Sequence, residues 1–207
     1  MQRHTTRVLS NKTNLVVDHS EEDGSFSASS LSIKAQKKIA SKLSTRKVTK
    51  LFLNNDVDTI FDSLYNVLRT YFSKKDAEKI VKNIIKLAVK MALLARNDLL
   101  STSERKQLAV VQKQLHALTL TIISFVQVKY SFEKSHLIEL IKNIQQSLAP
   151  LVSLKLSDNS SRRLEHVILH VTNNEFLEGL FRVDGPHSKV LSEFISALEN
   201  MLDSENL

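Results

Sequence analysis

Only 3 Gly and 2 Pro occur among 207 residues, and these are the residues that let a chain reverse direction frequently. Folds made of many short strands need them at every turn, so their scarcity selects long helices with few connections. The spacing of apolar residues agrees. Leu31, Ala35, Ile39 and Leu43 step by four. Val57, Ile60, Phe61, Leu64, Val67, Leu68 and Tyr71 trace a second helical stripe after the LeuAsnAsnAsp turn, where Asn55 or Asp56 caps.

A third helix is expected over 76–96, with Ile80, Ile84, Leu87, Met91 and Leu94 inward and Lys79, Lys82, Lys86 and Lys90 along the other side. Ser101 and Glu104 have the spacing of a capping box and open a long helix through Leu108, Val111, Leu115, Leu118, Ile122 and Phe125. A fifth helix spans 133–154, which Pro150 should kink or shorten. Two shorter helices, 157–171 and 173–183, flank the ThrAsnAsn cluster, and the last covers 187–202 after the Gly185-Pro186 turn. Short connections between long helices favour antiparallel neighbours. The predicted fold is therefore all-α, a single bundle over residues 55–207, preceded by a basic amphipathic helix at 29–50 and a tail at 1–28 that shows no sustained period.

Charge is unevenly distributed. The net charge is +7, and residues 29–50 carry Lys34, Lys37, Lys38, Lys42, Arg46, Lys47 and Lys50 without one acid. Lys34, Lys38, Lys42 and Arg46 form a basic stripe beside the apolar one. Seven bases with no acid exceed what solubility requires. Nucleic acid is a poor partner for the segment, since aromatics are 6%, Trp is absent and no base-reading motif follows. An anionic membrane surface fits better: it attracts each nearby base by about 1 kcal/mol, while the apolar stripe dips into the interface.

Other chemistries find little support. With no Cys there is neither a disulfide framework nor a thiolate metal site. His166 and His170 share a helix face but lack a convincing third ligand, so no metal is expected. No nucleophile elbow, phosphate-cradling glycine loop or dinucleotide fingerprint occurs, and no enzyme or cofactor is expected. There is no signal-peptide run and no stretch approaching 18 uncharged apolar residues. Met1 is followed by Gln2 rather than by the glycine that myristoylation requires, and the C-terminus has no Cys for prenylation, so the expected location is cytoplasmic. The segments 84–94 and 118–125 are apolar on more than one face. Such helices either sit centrally in a packed bundle or line a cavity, and the pattern alone leaves both open.

Several blocks, in order, resemble the tumor necrosis factor alpha-induced protein 8 family: SerPheSerAlaSerSerLeuSerIleLysAlaGlnLysLysIleAlaSerLys at 25–42, LeuPheLeuAsnAsn at 51–55, LeuTyrAsnVal at 64–67, AlaGluLysIleValLysAsnIleIleLys at 77–86, LeuAlaArgAsn at 94–97, SerPheValGlnValLysTyrSerPheGlu at 124–133, AsnGluPheLeu at 174–177 and the final MetLeuAspSerGluAsnLeu. The resemblance implies a divergent member with about six antiparallel helices enclosing a hydrophobic cavity. It implies that phospholipid tails lie in that cavity, along Ile84, Leu87, Ala88, Met91, Leu118, Ile122, Phe125 and Leu148. Phosphoinositide headgroups would then meet Lys37, Lys38, Lys42, Arg96 and Lys113. A further basic family position falls here on Gln112, beside Lys113, and one residue is missing near Lys74 to Asp76. The implied role is that of a monomeric lipid-binding and transfer protein in apoptosis and immune signalling, peripherally associated with the plasma membrane. An adaptor acting through signalling proteins is the alternative. Charge reversal of Lys37, Lys38 and Lys42 together is expected to abolish pelleting with phosphoinositide liposomes, and undiminished pelleting refutes this role for the segment.

Overall fold

The computed structural model describes residues 26–31, 33–34 and 55–205. Seven helices follow one another between Asn55 and Glu205: α1 (Asn55–Arg69), α2 (Lys74–Arg96), α3 (Thr102–Gln127), α4 (Lys134–Lys155), α5 (Asp158–Val171), α6 (Asn174–Leu180) and α7 (Ser188–Glu205). The described residues include no strand. Side-chain caps start several of them. Ser73 accepts the backbone N–H of Asp76 at 3.1 Å, and Asn173 accepts that of Phe176 at 2.8 Å. At Ser101 the predicted capping box is complete, with each of Ser101 and Glu104 accepting the other's backbone N–H.

Helix contacts close into a ring. α1 packs on α2, α2 on α5, α5 on α4, α4 on α3, α3 on α7, and α7 back on α1. The short α6 leans on α4 and closes one end. Polar contacts stitch the seams: Lys90 donates to the buried Ser160 at 2.7 Å between α2 and α5, and Lys155 meets Glu104 at 3.0 Å between α4 and α3. Glu104's carboxyl is held below the usual carboxylate range by the Ser101 backbone N–H and then by Lys155.

Two expectations change. Helix α4 runs on past Pro150 to Lys155, so the proline does not shorten it. The carbonyl that loses its helical partner to the proline is that of Gln146, and the carbonyl next to it, of Ser147, accepts from Gln107 of α3 at 3.0 Å. The packed domain also begins before residue 29. Phe26 stacks on Tyr65 with ring centroids 4.0 Å apart, Ala28 is fully buried, and its N–H donates to Asp62 Oδ1 at 2.8 Å. From there residues 28–31, 33 and 34 are helical, with Leu31 on the core and Lys34 exposed. The rest of the predicted basic helix, and most of the tail, lie outside the described residues. Lastly, α3 is long and apolar enough to cross a membrane by length and composition, although its place between α4 and α7 makes it a wall of the ring.

With glycine so rare, left-handed backbone positions fall on Asp98, Tyr130 and Asp184. Asp tolerates that conformation; Tyr does not, and Tyr130 is 84% exposed with little packing in return. Tyr130→Gly is expected to raise the unfolding free energy by about 1 kcal/mol, read from the denaturant midpoint.

Candidate functional site

The axis of the ring is hollow. A cavity of about 420 Å³ runs between the helices, and all seven contribute to its wall. Native interiors hold few voids larger than a water molecule, whereas ligand sites range over about 300–1,000 Å³. Among the described residues Thr119 is the single polar side chain in the lining, and its hydroxyl donates to the Leu115 carbonyl at 3.0 Å. Apart from the lone pairs of that one hydroxyl oxygen, the described lining offers an occupant dispersion and no hydrogen bonds.

Ile84, Leu87, Ala88 and Met91 of α2 line it together with Leu118 and Ile122 of α3 and Leu148 of α4. Phe125 does not. It lies on the same helix face as Leu118, but one turn beyond the end of the space, edge-on to Phe132 and Phe181 at 5.5 and 6.1 Å. Phe132 and Phe181 stack at 4.6 Å, and Phe72 and Phe176 meet at 5.2 Å nearby. These rings stopper the end where α1, α3 and α5 finish. A smaller pocket of about 180 Å³ lies outside them, with Phe125 in its wall. Lining residues such as Leu64, Leu137, Ile141, Val167 and Phe194 were visible in the sequence only as inward positions of their helices.

The open side is at the other end, along the first half of α3. Leu115 lines the cavity and is still 46% exposed, and Gln112 and His116 beside it are exposed too. Arg96 ends α2 at this end and is exposed. Lys113 is elsewhere: at about 100° per residue it stands about 200° around α3 from both Val111 and Leu115, on the outer face. Gln112 is the polar residue on the mouth side, and Lys113 does not replace it there. Lys37, Lys38 and Lys42 lie outside the described residues. At this end α2 to α5 and their connections supply Arg96, Arg105, Lys106, Lys155, Arg162 and Arg163 together with Asp98, Glu104 and Asp158, Arg105 pairing with Asp98 at 3.2 Å and Lys155 with Glu104 at 3.0 Å, while the α1 and α7 side supplies Asp58, Asp62 and Asp203.

A model of the family described as "Tumor necrosis factor alpha-induced protein 8-like" matches residues 26–205. The chain belongs to that family. Tumor necrosis factor alpha-induced protein 8 of Xenopus laevis is 35% identical over 184 residues, covering 88% of this chain and 97% of that one. The Homo sapiens protein of that name is 32% identical over 183 residues, covering 88% and 92%. Tumor necrosis factor alpha-induced protein 8-like protein 1 of Danio rerio is 32% identical, covering 88% and 99%. The match spans the whole ring, so the cavity lies within the family domain, which begins at the same Phe26 that stacks on Tyr65.

Behind the cavity wall, on the α2–α5 seam, the His166 and His170 rings stack at 4.3 Å. His170 Nδ1–H donates to the His166 carbonyl at 2.7 Å, and the buried Asn83 amide lies 3.4 Å from His166 Nδ1. Among the described residues no group of three His, Cys, Asp or Glu is placed to hold a metal. Burial lowers the His166 pKa, His170 and Lys79 lower it further, and Asp76 opposes them. The folded state therefore favours neutral His166. Its contribution is complete above the ordinary imidazole range and is lost as pH falls below it. The melting temperature should fall as pH is lowered from about 8 to 5, and His166→Gln should flatten that dependence in thermal melts.

Proposed function

We propose that this protein binds phospholipid, taking the acyl chains into the ring and leaving the headgroup at the mouth near Arg96, and that it moves phosphoinositides between membranes as part of tumor necrosis factor-linked and apoptotic signalling. The observation carrying this reading is the size and apolarity of the cavity. At about 24 cal/mol per Å³ of unfilled space, a dry void of about 420 Å³ forgoes about 10 kcal/mol. That is comparable to the whole net stability of a domain, about 5–15 kcal/mol. An apolar occupant recovers it, and each buried CH₂ contributes about 0.8 kcal/mol. A polar solute gains little from described walls that present no free donor and one hydroxyl oxygen.

The headgroup part draws on charge. Several anionic groups on one headgroup suit the planar fork of Arg96 combined with the mobile ammonium groups of Lys37, Lys38 and Lys42. Lys113, on the outer face of α3, has no part in that grip. The protein acts in the cytoplasm and at the inner face of the plasma membrane, as a monomer, and performs no covalent chemistry. An adaptor role in death signalling is the second reading, favoured by Leu154 and Leu169, which stand 70% and 71% exposed on the adjacent helices α4 and α5.

Native mass spectrometry of the purified protein separates the two. A co-purifying phospholipid supports the lipid reading, and a lipid-free monomer supports the adaptor. Ala88→Trp, which places a large ring in the cavity, is expected to abolish lipid extraction from vesicles while the helical circular dichroism persists. Undiminished extraction by the folded variant refutes the cavity as the lipid site.

A further inference from the structure

Helix α3 is the least buried long apolar element of the fold: only 11% of its most apolar 18-residue window is buried. Part of that exposure faces the cavity, as at Leu115, but another part faces outward. Lys106, Val110, Lys113, Ala117, Leu120 and, one residue past the helix end, Val128 follow one another at steps of three and four, with Ser124 between the last two. They occupy the side of the helix opposite Val111 and Leu118. Val110 is 43%, Leu120 48% and Val128 55% exposed. A stripe of this kind along a whole helix is more than the scattered apolar residues of an ordinary surface.

The charge of the stretch selects what covers it. Between Glu104 and Glu133 the chain has no acid, while Arg105, Lys106, Lys113 and Lys129 are all basic. A second copy packed through the same face would set Lys106 and Lys113 against their equivalents. The chain's own segment 35–50 is acid-free as well, with Lys37, Lys38, Lys42, Arg46, Lys47 and Lys50. Both occupants would bring like charge to like charge. An anionic bilayer brings the opposite charge and an apolar interior together, and lysines flanking an apolar stripe can bury their stems while their ammonium groups stay among the headgroups.

We propose that the outer face of α3, from Lys106 to Val128, is a membrane-contacting surface for anionic lipid, separate from the basic segment that precedes α1. The identity of the partner rests on the lipid reading above; the location of the surface does not. In this pose α3 is both the floor that touches the bilayer and a wall of the cavity, since Leu108, Leu115 and Thr119 line the space from its other side.

The absence of Trp makes the test direct. Leu120→Trp, with Leu169→Trp on α5 as the exposed control, is titrated with vesicles of phosphatidylcholine and phosphatidylserine, with and without bromine-labelled acyl chains. The Leu120→Trp protein should shift to shorter emission wavelength and be quenched by the brominated lipid, and the control should show neither. Val110→Glu with Leu120→Glu should weaken pelleting with the same vesicles by roughly tenfold or more. Pelleting without quenching of Leu120→Trp overturns the surface assignment and leaves the cavity reading standing. Emission that shifts with protein concentration in the absence of vesicles assigns the face to a second copy and overturns it too. Quenching in a protein whose native mass spectrum shows no bound lipid sustains the surface and refutes the cavity reading instead.

Discussion

Six rods of similar width arranged in a closed ring leave a central space about as wide as one more rod. Packed helices lie about 8–10 Å apart, so the hole left by α1, α2, α5, α4, α3 and α7 has the width of a helix and is not filled by one. Side chains from the walls fill part of it, and about 420 Å³ is left over. The cavity is therefore set by the order in which the helices touch, and no particular residue creates it. The residues decide what the space accepts: Leu, Ile, Val and Phe supply most of the wall, and the lone hydroxyl there, on Thr119, is bonded back to its own helix.

Much of this was legible in the amino-acid order. The poverty in glycine and proline selected helices, the 3.6-residue period located them, and Ser101 with Glu104 marked a start that the structure reproduces atom for atom. Periodicity reports which face of a helix turns inward, and so it found Ile84, Leu87, Met91, Leu118 and Ile122. It does not report whether another side chain meets that face. The choice between core and cavity thus came from family resemblance, not from the pattern. Phe125 shows the same gap: its angle on the helix was right, but its height was not, because Phe132 and Phe181 stand in the way. Pro150 was expected to kink or shorten its helix, and the helix is not shortened: it continues through the proline to Lys155. Lys113 next to Gln112 illustrates how neighbours in sequence point to different surroundings when they are about 100° apart on a helix.

Electrostatically the ring is divided. Asp58, Asp62 and Asp203 stand where α1 begins and α7 ends, whereas the ends of α2 to α5 carry an excess of bases over Asp98, Glu104 and Asp158. Helix α3, whose one acid is Glu104 in its first turn, packs on α4 and α7 and so lies at the border of these regions, beside the open side of the cavity. A net charge of +7 describes none of this, and an approaching surface responds to the local field within roughly one Debye length, about 8 Å at physiological salt.

The seam between α1 and α7 joins the first helix of the ring to the last. During synthesis the chain can pair α1 with α2 and α3 with α4 as each emerges, because those contacts are local, but the ring stays open until α7 has left the ribosome. Until then Leu68, Ile80 and Leu137, buried in the finished fold, face a trough and not an enclosed space. Any ligand of the interior must enter a completed molecule or be trapped at that last closure, and a chain truncated before Ser188 has no interior to load.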